Sequence, residues 1–271
     1  MTFKRNHLSQ SSISTLARCP RRFKYQYIEQ RPGILTSRLV VGLAYHNTVA
    51  QALSYKMLGL PPMSDADIAD AFSDFWNHEI KDKVIHDDDG VPQIEATAVD
   101  WGKDDPDSLM RSGAKLAQKY NRIYVPTLHP IAVEQEHTAS IDGIPLPVMG
   151  RLDAELPDNH VIDHKFKKHQ MGRAELERDL QSMFYALLKG TPLYMEFHQA
   201  LEYRAFDLFP KDAGLIVAPV TRTTDDVEWV SRLIREYWRQ IESEIFPPNP
   251  TSYLCSLEWC PYYINCKLEE N

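Results

Sequence analysis

One stretch of the sequence decides the fold, and it reads Val148-Met149-Gly150-Arg151-Leu152-Asp153-Ala154-Glu155-Leu156, then Pro157-Asp158-Asn159, then His160-Val161-Ile162-Asp163-His164-Lys165-Phe166. The two outer runs predict strands, and the three residues between them predict a turn. If the turn is those three residues, Leu156 pairs with His160. Counting back along both strands then places Asp153 opposite Asp163. Lys165 shares a face with Asp163, because strand side chains alternate.

This pairing predicts a functional site that binds a metal ion. Side chains that face each other across two strands have Cβ atoms about 5 Å apart. Two carboxylates this close repel unless a cation lies between them, and hard divalent ions such as Mg²⁺ favour oxygen ligands. A lysine beside them can hold a phosphate, or orient or deprotonate a water. The pattern therefore indicates metal-assisted cleavage of a phosphodiester. The alternative is an ordinary solvated strand face, because a register slip of one residue would reverse a whole strand.

Composition restricts the class of protein. The chain has 271 residues, of which 43% are hydrophobic and 25% are charged, as in soluble globular proteins. No apolar run approaches the roughly 20 residues of a membrane span, and residues 1–10 lack the core of a signal peptide. We therefore expect a cytoplasmic protein without a membrane partner.

The charge is unevenly distributed. The net charge is −8, and much of the negative excess lies in residues 87–89 and 100–107. The first forty residues are basic, and a local basic face can bind a phosphate backbone even in an acidic protein. The alternative is a solvated helix face. The residues that we expect to bind DNA are Arg18, Arg21, Arg22 and Lys24.

The remaining patterns predict a mixed sheet flanked by helices, an α/β (α+β) fold. Predicted helices cover 9–29 (broken at Cys19-Pro20), 37–58, 65–83, 109–124, 173–189 and 225–245. Predicted strands cover 130–141, 144–156, 160–166, 194–206 and 215–221, and 86–107 is predicted to be irregular. A hairpin about Asp142-Gly143 would place Glu134 opposite Arg151. Glu134 is then either an outer member of the site or part of a cross-strand ion pair.

The four cysteines suggest a second site. Three of them crowd into the end of the chain, and the fourth stands alone near its beginning. Four thiolates can close a zinc site or hold an iron–sulfur cluster, and this irregular spacing fits a cluster better than paired zinc knuckles. Disulfides are disfavoured in the cytoplasm, and buried free thiols are the alternative. The four are Cys19, Cys255, Cys260 and Cys266.

The set of motifs, taken in order, resembles the RecB-like branch of the PD-(D/E)XK nuclease superfamily. More narrowly, it resembles the four-cysteine iron–sulfur members: CRISPR-associated exonucleases, the nuclease domains of AddB-type helicase–nucleases, and phage exonucleases. The resemblance extends from Leu8 to Cys266. The matching stretches are Leu8-Ser9-Gln10-Ser11-Ser12-Ile13, Cys19-Pro20-Arg21-Arg22-Phe23, Gly42-Leu43-Ala44-Tyr45-His46, Gly150-Arg151-Leu152-Asp153, Asp163-His164-Lys165, and Gln181 with Tyr185.

The resemblance implies a restriction-endonuclease-like core within a single nuclease domain, 1–271. Its parts would be N-terminal helices at 8–58, a helical insertion at 59–128, the nuclease core at 129–222, and a C-terminal helix with a cysteine-rich iron–sulfur tail at 223–271. The tail departs from the family in one respect, because four residues separate Cys255 from Cys260 where the family often has two.

The resemblance also implies roles for residues. Lys165 would position or activate the attacking water, and Gln181 and Tyr185 would contact DNA or orient Lys165. The four cysteines would hold a 4Fe-4S cluster. Without the resemblance, His46 reads more naturally as a hydrogen-bonded core histidine. The implied ligands of Mg²⁺ or Mn²⁺ are the side chains of His46, Asp153 and Asp163 and the backbone carbonyl of His164.

The expected function is that of a metal-dependent deoxyribonuclease, an exonuclease acting on single-stranded DNA or DNA ends. One alternative is a catalytically silent DNA-binding or assembly subunit of a repair, recombination or CRISPR adaptation complex. Another is a zinc-stabilised binding module. Protein partners from such a complex are compatible with either alternative, and the patterns do not predict the polarity of digestion or the oligomeric state.

Overall fold

The computed structural model describes residues 3, 5–31, 33–81, 84–86, 92–95, 99–205 and 214–268. The helices are α1 Gln10–Arg18, α2 Pro20–Phe23, α3 Ser37–Met57, α4 Asp65–Ile80, α5 Pro106–Ile123, α6 Arg173–Glu177, α7 Leu180–Lys189, α8 Thr224–Glu242 and α9 Tyr263–Leu268. A π-helical turn follows α2 at Lys24–Ile28, and a 3₁₀ turn covers Glu202–Arg204. The strands are β1 Leu8–Ser9, β2 Val84–His86, β3 Pro92–Glu95, β4 Ala132–Ala139, β5 Val148–Leu156, β6 His160–Lys167, β7 Leu193–Leu201 and β8 Leu215–Arg222.

The N-terminal helices follow from local capping. The hydroxyl of Ser9 accepts a hydrogen bond from the backbone N–H of Ser12 and so begins α1. Cys19 is extended, with φ −161°, and Pro20 occupies the first turn of α2, where its missing N–H costs nothing. The predicted break at Cys19-Pro20 is confirmed, and it separates the first cysteine from both helices.

Three predicted elements are wrong in their extent. The predicted helix 173–189 is two helices, because the Asp179 carboxylate accepts from the Ser182 N–H (2.7 Å) and starts α7 afresh. The predicted strand 144–156 begins only at Val148, since the prolines at 145 and 147 cannot donate to a ladder. The region 86–107 was predicted to be irregular. It instead contains the last residue of β2 and the whole of β3, which pair as a short antiparallel hairpin. Residues 87–91, 96–98 and 206 of the predicted segments lie outside the described residues.

The main sheet is mixed. β5 and β6 are antiparallel, β6 and β7 are parallel, and β7 and β8 are antiparallel. The predicted pairing of Leu156 with His160 is confirmed. The turn between them is closed by Asp158 and Asn159 with φ of 60° and 55°, a left-handed conformation that Asp and Asn tolerate better than most residues.

The sheet forks at β5. β4 pairs with β5 from Val148 to Glu155 and occupies one of its edges. β1 and β6 must therefore share the other edge, where β1 pairs with residues 148–149 and β6 with residues 154–156. Among the described pairs, residues 150–153 have no strand partner on that edge. The pairing of β5 with β6 thus ends one residue before Asp153 and Asp163 would face each other.

The alternation of β5 also breaks at the fork. Leu152 packs with Met195 and Phe197 on one face of the sheet, whereas Ala154, two residues on, packs with Ile162 on the opposite face. The register of β4 places Glu134 across from Asp153, and Glu134 has a φ of 53°. Irregularities of this kind re-aim side chains at strand edges.

The predicted pairing of Glu134 with Arg151 is wrong. Arg151 pairs with Glu136, and its guanidinium lies 2.9 Å from the Glu136 carboxylate and 4.0 Å from that of Glu134. The turn at Asp142-Gly143 is present, with Gly143 at φ 85°. The strands, however, begin several residues beyond the turn, so the register shifts by two residues.

Helices cover both faces of the sheet. α3, α4 and α5 form the largest apolar cluster with one face, which includes Ala154, Ile162 and Ala200. α6 and α7 cover the opposite face, and α1, α2 and α8 pack around α7 in a further cluster. The predicted mixed sheet flanked by helices, with the restriction-endonuclease-like arrangement, is confirmed. Within the described residues, no helix is both long and apolar enough to cross a bilayer.

Candidate active site

Asp163 and Lys165 form the centre of a buried polar cluster. Both lie on β6, and their side chains are 1% and 24% exposed. The Lys165 ammonium is 2.7 Å from Asp163 Oδ2 and donates to Gln181 Oε1 at 2.6 Å. The Gln181 amide donates to Asp163 Oδ1 at 2.7 Å. Asp163, Lys165 and Gln181 therefore each contact the other two, and the three side chains form one closed ring of polar contacts.

α7 ties this ring to the fork. Gln181 and Tyr185 lie one helical turn apart, and the Gln181 amide donates to the Tyr185 hydroxyl at 2.7 Å. That hydroxyl donates to the backbone carbonyl of Arg151 at 2.9 Å, on the edge of β5 that lacks a strand partner. The approach is close because residue 150 is glycine. A Cβ there would lie 2.7 Å from Leu188 Cδ1. A glycine in the first motif thus serves helix–sheet packing at the site.

Asp153 is held by two histidines. Its Oδ2 accepts the backbone N–H of His164 at 2.7 Å, a bond that replaces the missing strand ladder. The Nδ1 atoms of His46 and His164 lie 3.3 and 3.4 Å from the same oxygen. α3 carries His46 to this position from 107 residues earlier in the chain. The structure therefore brings together every residue predicted for the catalytic and divalent-metal site.

The two aspartates differ in protonation. Burial raises the pKa of Asp153, but the charges and hydrogen bonds of His46 and His164 outweigh burial and hold this pKa well below its usual range. For Asp163, burial and the nearby charge of Asp153 outweigh the opposing effect of Lys165 and raise the pKa to about 7. Two carboxylates in one buried place compete for charge, and a cation relieves this competition.

Lys165 keeps its proton. Burial alone would lower its pKa, but the attraction of Asp163 and a hydrogen bond to it raise the pKa above the ordinary lysine value. Glu134 also senses the negative charge of the site. Burial raises its pKa, and the charge of Asp153 raises it further. Glu134 is therefore close to the site, and its predicted ion pair with Arg151 is present at 4.0 Å although the predicted strand register was wrong.

The donor set fits a hard divalent ion. Two carboxylates and an imidazole are ligands that Mg²⁺ or Mn²⁺ accept. The buried Oδ2 of Asp163 makes no hydrogen bond, although the Lys165 ammonium is near. In the described arrangement, Lys165 and Gln181 hold Asp163 while the histidines hold Asp153. Within the described ranges, no three His, Cys, Asp or Glu side chains converge tightly enough to ligate one ion.

A buried polar chain behind the site escaped the sequence analysis. His164 points its ring away from Lys165, and burial lowers its pKa to about 4. Its Nε2 lies 2.9 Å from the Tyr120 hydroxyl, which lies 2.7 Å from His198 Nδ1. Tyr120 lies on the apolar face of an amphipathic helix, and His198 lies in an apolar strand. Neither pattern distinguishes them from packing residues.

The four cysteines meet at a second place. They line one pocket of about 100 Å³ between the N-terminal helices and the tail. All four thiols are free and half-buried. Burial raises the pKa of Cys260 and of Cys266, and the other cysteines raise both further. The spacing in sequence, with one cysteine at one end of the chain and three at the other, thus becomes a common pocket in the fold.

The predicted DNA-binding residues have different surroundings. Arg18 is exposed. Arg21 lines the cysteine pocket and its Nε donates to the carbonyl of Phe246, while Arg22 lines the same pocket. The Lys24 ammonium lies 3.2 Å from Glu29. Arg18 is therefore the member of this group that faces solvent most openly.

Comparison with solved structures shows a similar overall fold. In solved structures, the chain is similar to a candidate exonuclease from Eubacterium rectale, with 10% identity over 98% of this chain and 90% of the other and a TM-score of 0.52. A protein designated SSO0001 has 13% identity over 100% and 90% of the two chains, with a TM-score of 0.46. LHK-Exo, solved in complex with dAMP, has 10% identity over 75% and 92%, with a TM-score of 0.36.

No curated protein matches the sequence significantly. The model of the PD-(D/E)XK nuclease superfamily matches residues 7–267, which includes β1, the fork, α7 and the cysteine tail. Nucleases of this superfamily use divalent metal ions such as Mg²⁺ or Mn²⁺. The chain belongs to the PD-(D/E)XK nuclease superfamily.

Proposed function

We propose that this nuclease is a metal-dependent deoxyribonuclease, and more narrowly an exonuclease that acts on single-stranded DNA or DNA ends. The observation that carries the proposal is the linked ring of Asp163, Lys165 and Gln181, set at a strand fork beside Asp153. A buried concentration of opposite charges like this one has no evident packing purpose. It suits a site that binds a cation and a phosphate.

The side chains of His46, Asp153 and Asp163, with the carbonyl of His164, would hold Mg²⁺ or Mn²⁺. When bound, the ion lowers the pKa of a water and stabilises charge on the phosphate. Asp163 would hold the ion with the carboxylate that lies 2.7 Å from the Lys165 ammonium. That ammonium would then add positive charge beside the phosphate.

Lys165 serves better as a charge than as a base. A lysine whose pKa is raised stays an ammonium at neutral pH, so it cannot accept the proton of the attacking water. Its positive charge instead opposes the charge that develops on the phosphate oxygens. Gln181, which donates to Asp163 and accepts from Lys165, would keep both groups oriented during the reaction.

We place a 4Fe-4S cluster in the cysteine pocket, held by Cys19, Cys255, Cys260 and Cys266, and with it we assign the chain to the RecB-like branch. The support is the convergence of four free thiols from opposite ends of the chain on one pocket. A reducing cytoplasm would keep these thiols free of disulfides.

The DNA would approach along the surface near the N-terminal helices. Arg18 offers an exposed positive charge there. In the tail, Trp259 and Tyr253 are 52% and 75% exposed and are able to stack on unpaired bases. Tyr25, Tyr27 and Tyr262 are buried and pack in the interior.

The test is cleavage of labelled DNA by the purified, iron-loaded protein. Single- and double-stranded substrates with 5′ or 3′ labels and with free or blocked ends are incubated with Mg²⁺, with Mn²⁺ or with a chelator. We expect metal-dependent release of short products from free single-stranded ends. Cleavage of blocked circular DNA at the same rate would replace exonuclease with endonuclease action.

Asp163→Ala and Lys165→Ala should abolish cleavage and leave the fold intact. Lys167→Ala is the matched control. Lys167 lies two residues along the same strand, and its ammonium pairs with Glu175 at the surface, 2.6 Å away. Full activity in both site variants would overturn the proposal. Wild-type protein that binds labelled DNA but never cuts it would favour the silent-subunit alternative.

Elemental analysis tests the cysteine pocket. We expect a brown protein that contains iron and acid-labile sulfide when it is purified without oxygen. Colourless protein that contains zinc, prepared in the same way, would replace the cluster with the zinc-stabilised alternative.

A further inference from the structure

The buried chain behind the fork links the nuclease site to the centre of the sheet. It runs from Asp153 through His164, Tyr120 and His198 to Glu196. The imidazoles of His164 and His198 and the ring of Tyr120 are 1–3% exposed. His198 Nε2 lies 3.1 Å from the Glu196 carboxylate, which also accepts from the exposed Tyr194 hydroxyl at 3.0 Å.

The contacts of this chain are short and continuous. The Tyr120 hydroxyl oxygen lies 2.9 Å from His164 Nε2 and 2.7 Å from His198 Nδ1. On the other side of the His164 ring, Nδ1 lies 3.4 Å from Asp153 Oδ2. Because a carboxylate only accepts, a proton on His164 Nδ1 leaves Nε2 free to accept from the Tyr120 hydroxyl. The Tyr120 hydroxyl therefore bridges the two imidazoles and contacts His164 on the side away from Asp153.

The same His164 also holds Asp153 through its backbone. Its N–H donates to Asp153 Oδ2 at 2.7 Å. The backbone and the imidazole ring of His164 therefore both contact the same carboxylate oxygen. A displacement of His164 as a whole would alter both contacts. A polar chain of this kind is costly to bury unless each member is satisfied, and an apolar core would be simpler. The free-energy cost of burying this polar chain is understandable if the chain fixes the position of Asp153.

A neighbouring tyrosine shows that the hydroxyl of Tyr120 is not there for packing alone. Tyr45 lies in the same apolar cluster and is fully buried, but its hydroxyl has no hydrogen-bond partner. Two tyrosines in one core thus differ in a single respect. One hydroxyl joins two histidines on adjacent strands, and the other joins nothing among the residues that are described.

We propose that Tyr120 and His198 are positioning residues of the nuclease site, which hold His164 so that Asp153 and the His164 peptide are correctly set for the divalent ion. This inference rests on the proposed function. It adds that the metal site depends on α5, which contributes no ligand. Outer partners of metal ligands typically contribute ten- to a hundredfold to metal affinity or activity.

The first experiment compares Tyr120→Phe with Tyr45→Phe, each of which removes one buried hydroxyl oxygen. Binding of Mn²⁺ is measured by electron paramagnetic resonance without DNA, and cleavage is measured over a range of Mg²⁺ and DNA concentrations. For Tyr120→Phe, we expect Mn²⁺ binding about tenfold weaker or more, a lower kcat and an unchanged KM for DNA. Tyr45→Phe should match the wild type.

A second pair of variants tests rescue. His198→Asn keeps a side-chain N–H that can donate toward Tyr120, whereas His198→Leu keeps only volume. Weaker Mn²⁺ binding in the leucine variant than in the asparagine variant supports the proposal. Thermal unfolding without metal is recorded for all four proteins, because a purely structural role would lower stability and leave the Mn²⁺ affinity of the folded fraction unchanged.

The outcomes separate the two proposals. A wild-type protein that cuts DNA and binds Mn²⁺, with Tyr120→Phe equal to Tyr45→Phe in both measurements, overturns the positioning role and leaves the nuclease intact. A wild-type protein that neither binds Mn²⁺ nor cuts DNA overturns the proposed function, and the positioning role with it.

Discussion

The strand fork and the cysteine pocket are two polar places built in opposite ways. At the fork, Asp163, Lys165 and Gln181 contact one another at 2.6–2.7 Å. In the pocket, four thiols line a common space, and burial raises the pKa of two of them, Cys260 and Cys266. The fork uses residues within about forty positions plus His46, whereas the pocket closes the two ends of the chain.

This difference indicates different duties. A site whose groups already neutralise each other keeps its shape without a cofactor and is poised for chemistry. A pocket whose four ligands would share one bound group gains additional cohesion from that group, as in small metal-stabilised folds. Substitutions at the fork should therefore remove activity and leave the fold intact. Substitutions in the pocket should instead destabilise the fold.

The largest effect is expected from Asp153→Asn. The substitution keeps the shape of the side chain but removes the charge that the two histidines stabilise. We expect cleavage to fall by roughly a thousandfold, because a catalytic metal ion contributes several kcal/mol and each 1.36 kcal/mol is tenfold in rate. Initial rates on labelled single-stranded DNA measure the effect. Iron content should equal that of the wild type, and a parallel loss of iron would show that the two places are not independent.

Cys266→Ala should give the complementary result. Removal of one thiolate weakens the cluster, so we expect loss of iron and a fall in Tm of roughly 5 °C or more, at about 2–4 °C per kcal/mol for a chain of this size. Ser256→Ala, in the same tail, is the control and should keep iron. An iron-loaded Cys266→Ala protein with normal Tm would remove this cysteine from the cluster. Cys255→Ala, compared in the same assay, tests the unusual spacing to Cys260.

Tyr185→Phe sharpens the description of the fork. The change removes the hydroxyl that connects Gln181 to the Arg151 carbonyl, but it keeps the ring that packs on β5. A net hydrogen bond contributes about 1 kcal/mol, so kcat should fall by up to about tenfold. Titration of DNA separates kcat from KM. A large rise in KM with constant kcat would instead assign the hydroxyl to DNA binding.

The smallest effect is expected on the scaffold of the fork. Glu155 is 3% exposed and is paired with Lys189 and His137. Burial raises its pKa, but these two partners outweigh burial and lower it overall. A carboxyl with a lowered folded pKa stabilises the fold above its unfolded pKa, and this contribution is lost as pH falls through the folded pKa.

Glu155→Gln should therefore be less stable than the wild type at pH 7, by about 2 kcal/mol, as for hydrogen bonds to charged groups. The difference should shrink as the pH falls below about 4, where the wild-type carboxyl also gains a proton. Urea unfolding at several pH values measures it. A difference that stays constant with pH would show that packing, rather than charge, is lost. The nuclease activity of the folded variant should remain.

Much of the fork could be predicted because its parts are local. A three-residue turn with Asp and Asn at positive φ set the pairing of Leu156 with His160, and period two then placed Asp163 and Lys165 on one face of β6. The predicted pairing of Asp153 with Asp163 does not form, because the β5–β6 pairing ends at Ala154. The hairpin before it was predicted two residues out of register. Its turn is followed by a segment with two prolines. The turn residues alone do not predict how many residues separate the turn from the first strand pair.

The sequence by itself indicated the residues that we propose for catalysis, the cysteine set and the family, because residue types at short spacings carry those signals. Only the tertiary structure decided that β5 leaves β6 at Asp153, that Glu134 lies across from it, and that Tyr120 and His198 support His164 from behind. These relations depend on which strands share an edge and which helix covers a face. Such choices are made by the packing of the whole chain, and a tyrosine or histidine in an apolar run does not reveal them.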